Sequence, residues 1–224
     1  MTSLKKANDP LMLIRESSDI LGIELSEDGA ARMRQHLQLL MQWRKRVNLT
    51  SLTDPIEIAV LHFIDSLTIF KVIPQGSALR ILDVGTGGGF PGMVLRSVDW
   101  SLDMTLLDRD AKKIVFLKYV ARELGLTDIT FLHTALADLL KLPISLPFDL
   151  IVSRAFSSDP LVLNSFSRLL VSGGSLVRMT GPTDAVHSSR LSNFRVQQLW
   201  EGTLPFSSHY RRVYRYVEKD RAST

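Results

Sequence analysis

The segment that most constrains this chain is Ile81-Leu-Asp-Val-Gly-Thr-Gly-Gly-Gly-Phe-Pro-Gly92. An apolar run that contains an acid is followed by five glycines in eight residues. Such a stretch suits neither a helix nor a strand interior, because glycine gives up the most backbone freedom on ordering. It reads as the turn between the end of a strand and the start of a helix, kept bare so that another group can approach the backbone. The rest of the chain has to supply a fold in which a strand–loop–helix unit of this kind is useful.

The flanking pattern does so. Leu79–Val84 is a short apolar run without alternation, as in a strand covered on both faces. Met104–Leu107 follows, then a helix from Ala111 to about Leu124 that ends at Gly125, Ile129–Leu132, a segment through Leu140, Leu150–Val152, a helix over Leu161–Leu170, and Ser175–Met179. Strands alternating with helices predict βαβ units and a parallel sheet, an α/β fold. Arg195–Leu199 and Tyr210–Val217 read as two further β segments, antiparallel at the sheet edge.

From Pro10 to about Lys71 the periodicity is helical instead. Leu11, Ile14, Ile20 and Leu21 mark a short amphipathic helix. Ser26 caps a second, carrying Met33, Leu37, Leu40, Met41 and Val47, and Thr53-Asp54-Pro55 opens a third that runs to Val72. The punctuation Pro74-Gln-Gly76 then divides the chain into a small helical region, residues 1–76, and a sheet domain, residues 77–224.

Composition narrows the class. The chain has 224 residues, 45% apolar and 22% charged, an ordinary balance for a packed core. No window approaches 18 uninterrupted apolar residues, and the N-terminal segment lacks the apolar stretch and cleavage site of a signal peptide. With no cysteine, disulfides, thiolate nucleophiles and Cys-ligated zinc are excluded. A cytoplasmic monomer without metal or membrane attachment is expected. Net charge is +4; residues 1–78 balance at nine of each sign, so the excess lies in the second part and mildly favours an anionic partner.

Three kinds of loop compete for Gly85–Gly92. A phosphate loop of the G-x-x-x-x-G-K-[ST] type needs Lys and Ser/Thr after its last glycine, whereas Gly92 is followed by Met93-Val94. The dinucleotide pattern G-x-G-x-x-G fits Gly87–Gly92, but Gly87 comes fourth after Asp83, and Phe90 and Pro91 sit where a pyrophosphate would approach. The third pattern, Asp83-x-Gly85-x-Gly87-x-Gly89, is similar to the loop of class I S-adenosylmethionine methyltransferases. There the amides of Gly85, Gly87 and Gly89, with Thr86 between them, can meet the zwitterionic end of a ligand. Asp83 either orients the loop or meets the ligand's ammonium. Asp108 closes the next strand 23 residues beyond Gly85, the place for an acid that grips ribose hydroxyls, although it can equally cap the following helix.

Further motifs carry a closer resemblance. Trp43-Arg-Lys-Arg-Val-Asn48-Leu-Thr50, His62-Phe-Ile-Asp65-Ser66, the glycine loop with Phe90-Pro-Gly92, Lys113-Ile-Val-Phe-Leu117 and Phe148-Asp-Leu-Ile-Val-Ser-Arg154-Ala-Phe156 occur together. In this combination the chain resembles, from about Leu21 to Val217, the RsmG (GidB) family, bacterial enzymes that methylate guanine N7 in 16S ribosomal RNA. The resemblance implies a class I, Rossmann-like methyltransferase sheet, S-adenosylmethionine as cofactor, and 16S rRNA or the small ribosomal subunit as partner. It further implies cofactor contacts at Gly85, Phe90, Leu136, Ala137 and Arg154, and places Asn48, His62 and Asp65 on the face between helical region and active site. The chain departs from the family in three places. Ala135-Leu136-Ala137 stands where Arg-x-Glu is usual, Met179-Thr180-Gly181 where Leu-Lys-Gly is usual, and Gly88 where Pro or Ala is common.

Guanine N7 is an unprotonated lone pair, so positioning can drive methyl transfer without a general base. That fits the absence of an obvious catalytic couple. His62 and Asp65, three apart on a helix, can line the substrate side or simply bond one another. Arg154, at the carboxyl edge of a buried strand, suits a ligand contact or a structural ion pair, and Phe156 either base stacking or core packing. Candidate RNA contacts are Arg44, Lys45, Arg46 and Asn48; Lys112 and Lys113; and Arg211 and Arg212. Each group alone also suits a solvated face. A small-molecule methyltransferase and a non-catalytic RNA-binding module are the alternative functions.

Overall fold

A computed structural model describes residues 9–143, 147–154, 156–181 and 191–219. Of the motif residues above, Ala155 lies outside this set. Helices α1 (Pro10–Leu21) and α2 (Glu27–Trp43) start at the side-chain caps Asp9 and Ser26, which accept from Leu11 N and Gly29 N. Asp54 caps α3 (Pro55–Ile58) with Pro at its first turn.

The third helix is not the continuous one that the periodicity predicts. After α3 the chain is π-helical over Ala59–Ile64, returns to one α turn, α4 (Asp65–Leu67), and tightens to a 3₁₀ turn over Thr68–Lys71. At this irregularity the Leu61 carbonyl accepts from Arg154 Nη1 at 2.9 Å and from His62 Nδ1 at 3.0 Å. Side chains inserted into the backbone ladder are a usual cause of such departures.

The remainder is a seven-stranded sheet in the order β3-β2-β1-β4-β5-β7-β6. Strands β1 (Arg80–Val84), β2 (Asp103–Asp108), β3 (Ile129–His133), β4 (Phe148–Arg154) and β5 (Leu170–Thr180) are parallel, and β7 (Tyr210–Glu218) runs antiparallel between β5 and β6 (Phe194–Thr203). The crossovers carry α5 (Gly92–Val98), α6 (Ala111–Glu123), α7 (Leu136–Leu139) and α8 (Pro160–Ser165). The sheet is thus the α/β architecture expected from the alternation.

Several boundaries move. The expected helix to Leu170 ends as α at Ser165, continues as 3₁₀ over Phe166–Leu169, and Leu170 already belongs to β5. Ser165 and Ser167 hydroxyls bond back to Val162 and Asn164 carbonyls, an alternative to the helical ladder. β5 starts early because a bulge absorbs Gly173 (φ 73°) between the pairs Phe148↔Leu170 and Leu150↔Ser175. The segment through Leu140 is the single-turn helix α7.

Each sheet face has its own apolar cluster. One joins Ile81, Met104, Leu106, Leu150 and Val177 to α1, α2, α5, α6 and the π-helical stretch; the other joins Leu82, Val84, Ile151 and Leu176 to α7, α8 and Tyr216. The division proposed at residue 76 falls on a turn where Gly76 (φ 78°) donates to Asp99 at 2.7 Å. The first cluster runs through residues on both sides of it.

Candidate active site

Strand β1 delivers the chain to the glycine loop, and the loop folds back on β2. Leu107 O accepts from Gly85 N (2.9 Å) and Thr86 N (3.1 Å); Thr86 O accepts from Gly89 N and Phe90 N, both at 2.9 Å. Asp108 Oδ2 accepts from Gly87 N at 3.0 Å and Asp83 Oδ2 from Gly92 N at 2.9 Å. This corrects the expectation for the glycines: the amides of Gly85, Gly87 and Gly89 are turned into the protein. What those residues supply is positive φ, at 75°, 58° and 95°, and, at Gly85 and Gly89, room for Phe156, Met93 and Leu117 to pack against the backbone. A loop with its amides spent internally is a poor cradle for pyrophosphate, which is held by free N–H groups.

Two cavities open at the carboxyl ends of the strands, where open α/β sheets bind ligands. The larger, about 650 Å³, is lined by Gly85, Asp108, Leu136, Ala137, Arg154 and Phe156 among others. Five of the cofactor candidates thus share one cleft. Asp83, Thr86, Gly87, Gly89 and Phe90 lie outside its lining. Asp83 is fully buried as the tie between loop and α5, and burial pushes its carboxyl up to about 6. Asp108 does not cap α6. Asp110 does, accepting from Lys112 N at 2.8 Å, which leaves Asp108 on the cleft wall. The Phe156 ring covers Gly85, where a Cβ would meet Cδ2 at 2.9 Å, and is 40% exposed at the cleft. Asp138 pairs with Lys141 at 2.7 Å and does not stand in for an acid at Ala137.

The smaller cavity, about 290 Å³, is lined by Leu61, His62, Asp65, Arg154, Thr180 and Arg211, together with Met179 and Gly181. Arg154 lines both. Asp65, only 3% exposed, has Arg211 Nε at 3.2 Å from Oδ1 and Arg154 Nη1 at 3.8 Å from Oδ2. Burial raises its pKa and the two guanidiniums oppose that rise; burial lowers the Arg154 pKa, opposed by Asp65 and Asp83. Thr180 is 4% exposed, and its hydroxyl has no hydrogen-bond partner among the described residues.

His62 faces Thr50 Oγ1 at 2.8 Å through Nε2. Because the Leu61 carbonyl can only accept, the proton is assigned to Nδ1 and Nε2 accepts from Thr50. Burial, then the charge of Arg154, pushes its pKa down to about 4, so the ring is neutral at pH 7. His62 and Asp65 do share this cavity, without a hydrogen bond between them among the described residues.

Sequence reasoning passed over His36. It is 1% exposed, donates Nε2–H to Gly88 O at 2.8 Å, and stacks on Phe90 with centroids 5.0 Å apart. Phe90 in turn stacks on His62 at 4.7 Å and lies under Arg154 at 5.5 Å. The signal was available: His36 falls three residues after Met33 and four before Leu40, on the buried stripe of α2.

The basic candidates divide. Lys45, Arg46 and Asn48 are exposed just beyond α2, with Arg44 beside them. Trp43 packs on Phe116 and Tyr119 of α6, at 5.7 and 5.3 Å, which sets this turn next to the helix bearing Lys112 and Lys113. Lys112 is exposed, whereas Lys113 lines the larger cleft. Arg211 and Arg212, adjacent on β7, point to opposite faces: Arg211 holds Asp65 and Arg212 pairs with Glu201 at 3.2 Å. Among the described residues no helix is long and apolar enough to cross a membrane, and no cluster of metal-ligating side chains occurs.

Residues 30–201 match the family described as rRNA small subunit methyltransferase G. A protein named "Ribosomal RNA small subunit methyltransferase G" from Acinetobacter baylyi is 38% identical over 148 residues, 66% of this chain and 68% of its own. Its namesake from Geotalea uraniireducens is 36% identical over 197 residues, covering 85% and 89%. Among solved structures, the putative methyltransferase yhhF from Escherichia coli superposes with a TM-score of 0.56 at 13% identity, over 70% of this chain and 85% of that one. TrmN from Thermus thermophilus gives 0.53 at 18% identity, over 69% and 48%.

Proposed function

The chain belongs to the rRNA small subunit methyltransferase G family, and from that premise we propose that it methylates N7 of a specific guanosine in 16S rRNA, using S-adenosylmethionine, in the cytoplasm. The observation that carries this reading is the pair of adjoining cavities that meet at Arg154, one beside a glycine loop with inward-turned amides, the other polar and small. The residues of the larger cleft fit the cofactor. The Asp108 carboxylate beside the glycine loop and a volume of about 650 Å³ suit a nucleoside with an amino-acid tail and no phosphate.

When bound, S-adenosylmethionine supplies a methyl group made electrophilic by its sulfonium. In this assignment Asp108 holds the ribose hydroxyls, Leu136 and Ala137 flank the base, and Asp83 keeps the loop in register through Gly92. Phe90 acts from behind the loop, as the ring through which His36, His62 and Arg154 support it. Because N7 has no proton to lose, no side chain has to act as a base, and the neutral, hydrogen-bonded His62 is in keeping with that. As positive charge passes to the guanine, the buried Asp65 carboxylate offsets it. Arg44, Lys45, Arg46, Asn48, Lys112 and Lys113 hold RNA phosphates around the opening, with Arg212 farther off on β7.

The test is transfer of label from S-adenosylmethionine to 30S subunits, and separately to free 16S rRNA, from cells lacking this protein, followed by mapping of the labelled nucleotide. A single N7-methylguanosine is expected. Cofactor binding with no label on either substrate would refute the activity and favour a non-catalytic RNA-binding role.

A further inference from the structure

We infer that the smaller cavity beside Arg154 receives the target guanine, with Asp65 reading its Watson–Crick edge and Arg154 its O6. This rests on the methyltransferase reading above. Enzymes that modify a base draw it out of the stack into a pocket and read it by hydrogen bonds to that edge. At about 290 Å³ the cavity lies at the low end of ligand sites, suiting one base with no room for a further nucleotide.

Its polar groups are unusual for their burial. A carboxylate 3% exposed is costly unless paired, and here two guanidiniums offset that cost. They do not exhaust it. Arg154 Nη1 stands 3.8 Å from Oδ2, beyond hydrogen-bond length, so that oxygen keeps its acceptor capacity. The Thr180 hydroxyl on the same wall is buried and unpartnered among the described residues. A buried polar atom without a partner calls for an explanation, and a ligand is one.

Of the four bases, only guanine offers two adjacent donors, N1–H and N2–H₂, to a carboxylate. Adenine and cytosine pair a donor with a ring acceptor, which Asp65 would repel, and uracil has one donor between two carbonyls. Around the guanine rim the order is N2, N1, O6, N7. With N1 and N2 on Asp65 and O6 toward Arg154, N7 falls on the far side of Arg154, where the larger cleft begins. One carboxylate and one guanidinium thus select the base and turn its reactive nitrogen toward the cofactor side. Thr180 bonds the base through a neutral hydroxyl, adding no further positive charge to the two guanidiniums beside a base that becomes cationic.

The test uses 30S subunits reconstituted with 16S rRNA carrying guanosine or inosine at the mapped position. Inosine lacks N2–H₂ but keeps N1–H, O6 and N7. With the full-length wild-type protein, inosine should lower the single-turnover methylation rate about tenfold or more, the usual cost of removing a hydrogen bond to a charged group. Asp65→Asn should slow transfer to guanosine comparably, leave less than about a twofold difference between the two substrates, and bind S-adenosylmethionine as the wild type does. Equal wild-type rates on guanosine and inosine would overturn the inference. So would a full inosine penalty retained in Asp65→Asn. If that variant does not fold, the wild-type comparison decides alone. Absence of any transfer by the wild type to guanosine-containing 16S rRNA, whether reconstituted into 30S subunits or free, is the distinct result that removes the methyltransferase reading itself.

Discussion

Replacing His36 with Gln separates two things the imidazole does. Its Nε2–H holds the Gly88 carbonyl at 2.8 Å, a bond that a glutamine Nε2–H can reproduce, and its ring stacks on Phe90 at 5.0 Å, which glutamine cannot. The stack is worth about 0.5–1.5 kcal/mol, so H36Q should be less stable by about 1 kcal/mol at pH 8. Acid reverses the order. Burial lowers the His36 pKa from 6.5 to about 4, so between these values the unfolded chain takes up a proton that the folded protein refuses. The stabilisation is fully present above pH 6.5 and is lost as pH falls toward 4, by about 3 kcal/mol over the window. Glutamine does not titrate. The wild-type and H36Q stability curves should therefore cross between about pH 5 and pH 6, and by pH 4.5 the variant should be ahead by about 1–2 kcal/mol. His62, also held near 4, titrates in both proteins; because the His36 charge contributes to lowering its pKa, the variant is also compared in a His62→Gln background. Urea unfolding followed by tryptophan fluorescence at half-unit intervals from pH 4.5 to pH 8, with matched m-values, measures this. A difference that stays constant across the range would show that His36 is not buried and neutral, and would remove the proposed loop support.

Asp108→Asn should weaken S-adenosylmethionine binding about 10- to 100-fold in calorimetry, because in the proposed assignment the carboxylate holding the ribose diol loses its charge; unchanged affinity would take Asp108 out of the site. Gly89→Ala should destabilise the protein by about 3 kcal/mol in urea, since φ is 95° and the new methyl would stand 2.6 Å from Met93 Cγ. A neutral result would mean that the loop relaxes freely. Changing the exposed Lys45 and Arg46 together to Ala should reduce the slope of log affinity for rRNA against log salt by about 0.7–0.9 for each phosphate no longer neutralised. An unaltered slope would move the RNA path away from α2.

The sheet was legible because buried parallel strands write their own signature. Leu79–Val84 and Leu150–Val152 are apolar without alternation, as strands covered on both faces must be, and caps and glycines marked the helices between them. Among the cleft residues, Gly85, Asp108 and Arg154 were legible for a related reason, since each lies at or just beyond a strand's carboxyl end, whereas Leu136 and Ala137 came only from the family resemblance. What resisted reading was contact between segments distant in sequence. The Gly88–His36 bond spans 52 residues and the Asp65–Arg211 pair 146, and no local pattern encodes either. Arg211 and Arg212 looked like one basic patch because composition ignores the alternation of a strand, which sends them to opposite faces. The π-helical turn was hidden likewise, since its apolar spacing is compatible with an ordinary helix and its disruption comes from Arg154, 93 residues away from Leu61.

These long-range contacts bear on how the two parts of the chain divide the work. Every residue lining the larger cleft comes from positions 85–165, within the sheet domain. The smaller cavity takes Leu61, His62 and Asp65 from the helical region and Arg154, Thr180 and Arg211 from three strands of the sheet. In the proposed assignment the sheet alone would suffice to hold a cofactor, but a base could be recognised only where the helical region closes over it. The π-helical stretch is what makes that closure. By leaving the Leu61 carbonyl to Arg154 and bringing Asp65 to the same guanidinium, it ties the arginine that borders both cavities to the residues that read the base. Substrate choice would then be set by Leu61, His62 and Asp65 of the helical region acting through one side chain of β4, and that region would belong to the enzyme's specificity as well as to its fold.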